Sequence, residues 1–331
     1  MTNILVTGGL GFIGSHFAAQ VCKKYPLFII DNLSNSSKHI YHKLLKFSNR
    51  NHIYFYNINV LDYAKMQKII QSHKINSVIH FAGLKSVGES VNYPARYYYN
   101  NVIGSKILFD LIKSNNIQNL IFSSSATVYG KPIKLPLDES HPIQSTNPYG
   151  QNKIDIENIL LSDPYFQNDC SVKILRYFNP IGAHPSGLIG ESPKGIPNNL
   201  MPYILKVAQR RYQKVSVFGN DYDTHDGTGI RDYIHIMDLV DGHVKALNYQ
   251  KKGVSIFNLG TGQGYSVLDL IKTFERVNHV SAPFEFVNRR SGDVAAVYAN
   301  PSKAESVLDF KAKRTLEDMC RDAWTFAKDN S

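Results

Sequence analysis

In Pro148-Tyr149-Gly150-Gln151-Asn152-Lys153 a tyrosine and a lysine stand four positions apart at the start of a predicted helix. That spacing puts both side chains on one helical face, where an ammonium can lower the pKa of a nearby phenol. A phenol so placed can serve as a base near neutral pH, moving a proton to and from a hydroxyl. A third group lies upstream. The predicted strand Leu120-Ile121-Phe122 runs into Ser123-Ser124-Ser125-Ala126-Thr127-Val128-Tyr129-Gly130, and a hydroxyl at a strand end can hydrogen-bond a substrate oxygen beside Tyr149.

These groups need a scaffold, and the chain supplies one from its first residues. Ile4-Leu5-Val6 reads as a short buried strand, followed by Thr7-Gly8-Gly9-Leu10-Gly11-Phe12-Ile13-Gly14 and an amphipathic stretch to Lys24. Glycines at 8, 11 and 14 permit a tight turn, close approach of backbone to a pyrophosphate, and close packing of helix on strand. The helix N-terminus supplies the anion site. A second strand, Leu27-Phe28-Ile29-Ile30, ends in Asp31, seventeen residues beyond Gly14. A carboxylate there accepts hydrogen bonds from the adenosine ribose hydroxyls and repels a 2′-phosphate, so NAD is expected rather than NADP.

Further units follow at the same pace: Ile53–Tyr56 with a helix near 62–73, Ser77–His80 running into Phe81–Lys85, and a long helical region over 94–115 with Asn100-Asn101. Alternation of strand and helix predicts an α/β fold, a Rossmann-type doubly wound parallel sheet with cofactor contacts at the carboxyl ends of its strands. A smaller C-terminal α/β substrate-binding domain is expected to follow. The division is placed at 1–180 and 181–331, with some crossing of the chain between the two.

With 331 residues, 43% hydrophobic and 19% charged, the chain can bury a sizeable core. Cys22, Cys170 and Cys320 are odd in number and lack metal or disulfide spacing, which fits a reducing cytoplasm. Met1-Thr2-Asn3 leads straight into the first strand, so no signal peptide is expected, and no apolar run reaches membrane-spanning length. The net charge of +10 is spread along the chain in short clusters such as Arg210-Arg211 and Lys251-Lys252. Without a polybasic tract, neither nucleic acid nor membrane is an expected partner, and an anionic small substrate is.

Taken together, the motifs resemble those of the extended short-chain dehydrogenase/reductases, and within them the UDP-glucose 4-epimerases. The resemblance spans Thr7 to Gly14, His80 to Ser90, Ser123 to Gly130 and Pro148 to Lys153. It continues through Arg176 to Gly187, Gly195 to Tyr203, Phe218 to Tyr222, Asp226 to Asp238 and Arg289 to Asp293. It implies Tyr149 as general base and acid, Lys153 as holder of the nicotinamide ribose, and Ser125 as partner of the reacting sugar oxygen. It implies bound NAD along Gly8, Gly11, Phe12, Ile13, Gly14, Asp31, Asn32, Leu33, Ser34, Asn35, Ser36, Asn59, Val60, Phe81, Ala82, Gly83, Leu84, Lys85, Asn100 and Phe178. Asn59 stands where the family usually has Asp, and can still accept from the adenine amino group.

The same resemblance assigns a UDP-hexose to Asn179, Asn199, Leu200, Ser216, Val217, Phe218, Arg231, Arg290 and Asp293, and implies a homodimer that interconverts UDP-galactose and UDP-glucose in galactose metabolism. Val297 stands where some members place a bulky Tyr near the hexose C2 substituent. Its size implies room for N-acetylated UDP-hexosamines, with Tyr298 pointing the other way. A 4,6-dehydratase of the same family would need acidic groups beside the serine, where this chain has Ala126 and Thr127. A sensor of NAD without catalysis would have lost Ser125, Tyr149 or Lys153.

Overall fold

The computed structural model describes residues 2–48, 52–195, 197, 199–290 and 292–329. Ile196 and Asn198 in the 195–203 motif and Ser291 in the 289–293 motif lie outside the described residues. The chain divides into two compact units: 1–130 with 142–176 and 243–257, and 131–141 with 177–242 and 258–331.

The first unit is built on a seven-stranded sheet. Its strands are β1 (Ile4–Thr7), β2 (Leu27–Asp31), β3 (Ile53–Asn57), β4 (Ser77–His80), β5 (Asn119–Ser125), β6 (Ser171–Tyr177) and the last strand, Gly253–Leu259. From one edge they run β3, β2, β1, β4, β5, β6 and Gly253–Leu259. Pairing is parallel from β3 through β5, with Ile4 opposite both Leu27 and Ser77. The strand order reverses between β1 and β4, the switch point where an open parallel sheet leaves a crevice for ligand. Every residue of β1, β2, β4 and β6 is buried, as strands covered on both faces require, and β6 buries Lys173 and Arg176 among them.

The predicted helices have recognisable ends. Asp62 caps Tyr63–Ser72 through the Lys65 amide, and Asn147 caps Pro148–Ser162, the candidate catalytic helix, through the Gly150 amide, with Pro148 at the first turn. The long 94–115 helix differs from expectation. It is Pro94–Tyr98, then a π-helical turn Tyr99–Ile103, then Gly104–Ser114. Such an inserted residue rotates the side chains that follow it and is common at functional sites.

The second unit pairs Val215–Phe218 with Phe284–Val287 in parallel, and Asn179–Ile181 with Tyr233–His235. Helices Leu200–Ala208, Val267–Asn278 and Leu316–Asp329 close its core around Ile204, Ile271, Phe274 and Met319. Ser266 and Asp269 form a reciprocal capping box at the second of these helices. No described helix is long and apolar enough to cross a membrane.

Candidate active site

The glycine loop leaves no room for side chains where backbone must come close. Gly8 has φ +67, and a Cβ there would lie 2.7 Å from the Ala82 amide nitrogen; one on Gly14 would lie 2.4 Å from the Gly8 carbonyl oxygen. Gly11 precedes helix Phe12–Val21, whose first turn has no side-chain cap and no acidic residue. Phe12 and Ile13 sit in that turn, so its amide groups remain available to an anion.

Asp31 ends β2 and is 8% exposed. Its carboxylate accepts from the amides of Leu10 (3.1 Å) and Leu33 (2.9 Å) and from the Ser36 hydroxyl (2.7 Å), while Asn32 accepts from Ser34. These bonds shape the 31–36 turn that carries Asn35, with Leu33 at φ 59. A carboxylate has about four lone-pair directions, and three protein donors leave Asp31 room for one more. Asn59 accepts from the Leu61 amide, and Val60 is packed into the core.

The segment Phe81–Lys85 follows β4. Asn101 holds it from both sides, accepting from the Leu84 amide at 2.8 Å and donating to the Leu84 carbonyl at 3.0 Å, while Asn100 donates to Asn101. Below them His80 bridges Thr7 (2.7 Å) and Ser105 (2.9 Å), and burial pushes its pKa down to about 3, with the Lys153 charge acting the same way. It is therefore a neutral staple between β1, β4 and helix Gly104–Ser114.

Ser125, Tyr149 and Lys153 come together in this unit. Ser125 ends β5 and begins the short 3-10 turn Ala126–Tyr129, its hydroxyl accepting from the Thr127 amide (3.2 Å) and Thr127 hydroxyl (2.9 Å). Lys153 is 5% exposed; its ammonium donates to the Ser123 carbonyl at 2.6 Å and lies 4.8 Å from the Phe122 ring and 5.8 Å from the Tyr149 ring. The electrostatics differ from what spacing alone suggests. Burial pushes the Tyr149 phenol up to about 12, against a hydrogen bond with Ser125 that lowers it. Part of Tyr149 is open to solvent, which moderates that rise. Lys153 is itself pulled down to about 8 by burial, with Glu157 opposing. Desolvation thus sets the direction of the phenol's shift, opposed by the Ser125 hydrogen bond, a balance that sequence spacing does not carry.

The second unit gathers another set. The Arg231 guanidinium donates to the Ile230 and Val294 carbonyls and lies 3.7 Å from the Asp293 carboxylate. Arg290 sits 3.8 Å over the Phe218 ring, and Arg289 4.0 Å over Tyr222 while paired with Asp221. Val297 is the strand partner of Arg231, and the Tyr298 ring lies against Gly264. Asn199, ahead of helix Leu200–Ala208, donates to Glu191, and Asn179 donates its amide to the Asp232 carbonyl. Along Val215–Phe218 the half-buried Ser216 and Phe218 alternate with Val217, which is 1% exposed and belongs to the core, so it has only backbone to offer a ligand. Phe178, assigned above to the cofactor, also lies in this unit and is buried.

A family model described as GDP-mannose 4,6 dehydratase matches residues 5–323. The chain is 48% identical to the UDP-glucose 4-epimerase of Bacillus subtilis (strain 168) over 330 residues, 99% of this chain and 97% of the relative. The chain belongs to the UDP-glucose 4-epimerase family. Its fold agrees with two solved UDP-glucose 4-epimerases. One, from Stenotrophomonas maltophila with bound NAD and formylated UDP-arabinopyranose, has TM-score 0.96 and 43% identity, covering 100% of this chain and 99% of that one. The other, from Bifidobacterium longum in complex with NAD+ and UDP, has TM-score 0.93 and 45% identity, covering 99% of each.

The first unit has the features an epimerase of this family requires of an NAD site: side-chain-free glycines, uncapped helix amides and a strand-end carboxylate. Against the dehydratase chemistry in the family model's description, Ser125 is followed by Ala126 and Thr127 with no carboxylate between. Several residues that shape this site left no mark in the sequence. Asn101 is one, overlooked because the π-turn sets which asparagine faces the loop. Ser90 is another; its hydroxyl accepts from the Tyr149 amide at 3.2 Å and so seats the start of the catalytic helix. Glu157 is a third, and it extends the Tyr149 and Lys153 spacing by one more turn.

Proposed function

We propose that this chain interconverts UDP-galactose and UDP-glucose through a transient 4-keto sugar, with NAD kept bound. The observation that carries this reading is the grouping of Ser125, Tyr149 and Lys153 at the end of β5 and the first turns of the catalytic helix. Tyr149 takes the proton of the sugar 4-hydroxyl and returns it, Ser125 holds that oxygen, and Lys153 holds the nicotinamide ribose and adds positive charge near the phenol. When bound, NAD supplies a hydride acceptor and, on return, a hydride donor, so no net redox occurs. Asp31, Gly8, Gly11, Gly14, the turns 32–36 and 81–85, Asn59, Asn100 and Phe178 hold the cofactor.

Arg231 and Arg290 are two guanidiniums suited to a diphosphate. Phe218 and Asn199 suit the face and edge of a uracil, with Asn179, Leu200, Ser216, the Val217 backbone and Asp293 completing the set. Held by its nucleotide, the keto sugar can turn over and accept hydride on the opposite face.

The test uses purified protein, UDP-galactose and no added NAD. UDP-glucose is expected, since a keto sugar that waits for its hydride back requires a cofactor that stays bound. Strict dependence on added NADP would contradict the role given to Asp31.

The same preparation is expected to sediment as a dimer. Val91, Tyr93, Tyr98 and Tyr99, all within residues 87–103, are 60%, 57%, 43% and 59% exposed, apolar side chains that a second copy would cover by two-fold symmetry. Three buried free cysteines fit a reducing cytoplasm, where galactose metabolism would take place.

Substrate breadth is a second reading, favoured by Val297. Placed on the strand beside Arg231, a small side chain leaves space for a C2 substituent, so UDP-GlcNAc and UDP-GalNAc are expected to interconvert too. Val297→Tyr is then expected to suppress the N-acetylated pair by about tenfold or more and largely spare the plain hexoses, since overfilling a pocket costs ~1–3 kcal/mol. Absence of UDP-GlcNAc turnover by the wild type would remove this reading.

A further inference from the structure

The catalytic helix carries a third buried group in register with Tyr149 and Lys153. Glu157 is 0% exposed and four residues beyond Lys153, so the three form one stripe at i, i+4 and i+8. Its carboxylate accepts from Arg176 twice, Nη2 to Oε2 at 2.6 Å and Nε to Oε1 at 3.1 Å, and also from the Ser124 hydroxyl. Arg176, 2% exposed on β6, sends its remaining Nη1 to the Tyr129 hydroxyl at 3.1 Å and lies 4.9 Å from that ring. Ser124 is the neighbour of Ser125, and Tyr129 ends the 3-10 turn that Ser125 begins. The brace therefore ties β5, β6, the turn and the catalytic helix together around the residues that would do the chemistry.

We propose that Glu157 is a positioning residue for epimerisation: it fixes the serine-bearing end of β5 against the catalytic helix and supplies the negative charge that two buried cations, Lys153 and Arg176, require. This rests on the reading of Ser125, Tyr149 and Lys153 given above. An apolar brace could fix the same geometry, but burying Arg176 without an anion would be costly. The charge also reaches Lys153, whose proton Glu157 helps to retain against burial. Other titratable groups on the surrounding elements are His80 on β4, Tyr129 in the turn, Tyr149 itself and, on β6, the buried Lys173, pulled down to about 7 by desolvation; strand alternation puts it on the opposite face from Arg176, where it donates to Ser171. Glu89 and Tyr97, on the helices packed against the catalytic helix, bond one another at 2.7 Å.

The experiment measures kcat and KM for UDP-galactose across pH in the NAD-loaded enzyme, for the wild type, Glu157→Gln, Glu157→Asp, Ser124→Ala and, as control, Tyr149→Phe. In Glu157→Gln, kcat is expected to fall about 10- to 100-fold with KM little changed, because the loss lies in alignment. The limb of its pH profile set by Lys153, near pH 8 in the wild type, should move down by about one pH unit, since Lys153 loses its anionic neighbour while Arg176 stays charged. Glu157→Asp restores that limb with kcat still reduced, and Ser124→Ala lowers kcat without moving the limb. An unmoved limb in a folded Glu157→Gln enzyme overturns the proposal. If that variant does not fold, wild-type kcat in both Glu157→Asp and Ser124→Ala overturns it, and reduced kcat at unchanged KM supports it. A wild type inactive on UDP-galactose, or a fully active Tyr149→Phe, would instead mean that the reading of the catalytic groups has failed.

Discussion

Replacing Tyr149 by phenylalanine is expected to cut kcat by about 10²- to 10⁴-fold, the usual contribution of a positioned acid or base, while folding and nucleotide binding stay near wild type. Only the hydroxyl is removed. The ring keeps its place on the catalytic helix, whose start is held by Asn147 and by the Ser90 hydroxyl on the Tyr149 amide. Ser125→Ala should cost less, because the proton-transferring group remains. Its signature is in the pH profile. The Ser125 hydrogen bond lowers a phenol that burial has raised to about 12, so removing it raises the phenol further and moves the acidic limb of kcat/KM to higher pH. Steady-state rates between about pH 5 and 10 all lie below a phenol raised to about 12, so the shift is read there as a lower rate at each pH; near-wild-type turnover by Tyr149→Phe would mean that another group is the base.

The sequence made the first unit readable because its information is local. The runs Ile4–Val6 and Leu27–Ile30 are apolar for as long as a strand covered on both faces must be, and the glycines sit where added Cβ atoms would strike backbone. The place of Asp31 at the end of β2 was legible from its distance past the loop, although not the hydrogen bonds by which it shapes residues 31–36. The π-turn at Tyr99–Ile103 left no sign, since a single inserted residue changes neither composition nor helix propensity. Without it the choice between Asn100 and Asn101 as the loop's clamp could not be made.

What remained unread depends on packing between distant segments. The pairing of Glu157 with Arg176 joins a helix to β6, and no spacing rule predicts a partner 19 residues away on another element. The second unit uses strands as short as Ile230–Arg231 and Ala296–Val297, too short to show alternation. The side chain of Val217 could be assigned to the core only once its neighbours were in place. The Tyr149 phenol belongs to the same class. Spacing correctly put Lys153 near it, but the sign of its pKa shift comes from desolvation, a property of everything around it.

That balance makes Lys153→Met the other large effect, because it should move activity and stability in opposite directions. Burial pulls Lys153 down to about 8 from an ordinary 10.5. Below pH 8 both folded and unfolded chains carry the proton, and the folded state bears the full penalty of a desolvated ammonium. Between pH 8 and 10.5 the unfolded chain binds more protons than the folded one, so the penalty is relieved as pH rises; above 10.5 it is absent. The depression corresponds to a cost on the order of 3 kcal/mol near neutral pH, which methionine removes while leaving the Ser123 carbonyl without its 2.6 Å donor. Thermal melting at pH 7 is therefore expected to be unchanged or higher than wild type, with that advantage shrinking toward pH 10. Turnover should fall by about 10²-fold or more, NAD should be held less firmly, and the limb assigned to Tyr149 should move to higher pH, because a positive charge 5.8 Å from its ring has gone. Calorimetry and rate profiles on the same preparations read both quantities. A variant that loses stability and activity together, with an unmoved Tyr149 limb, would show that Lys153 serves to hold the end of β5 and does not act on the phenol.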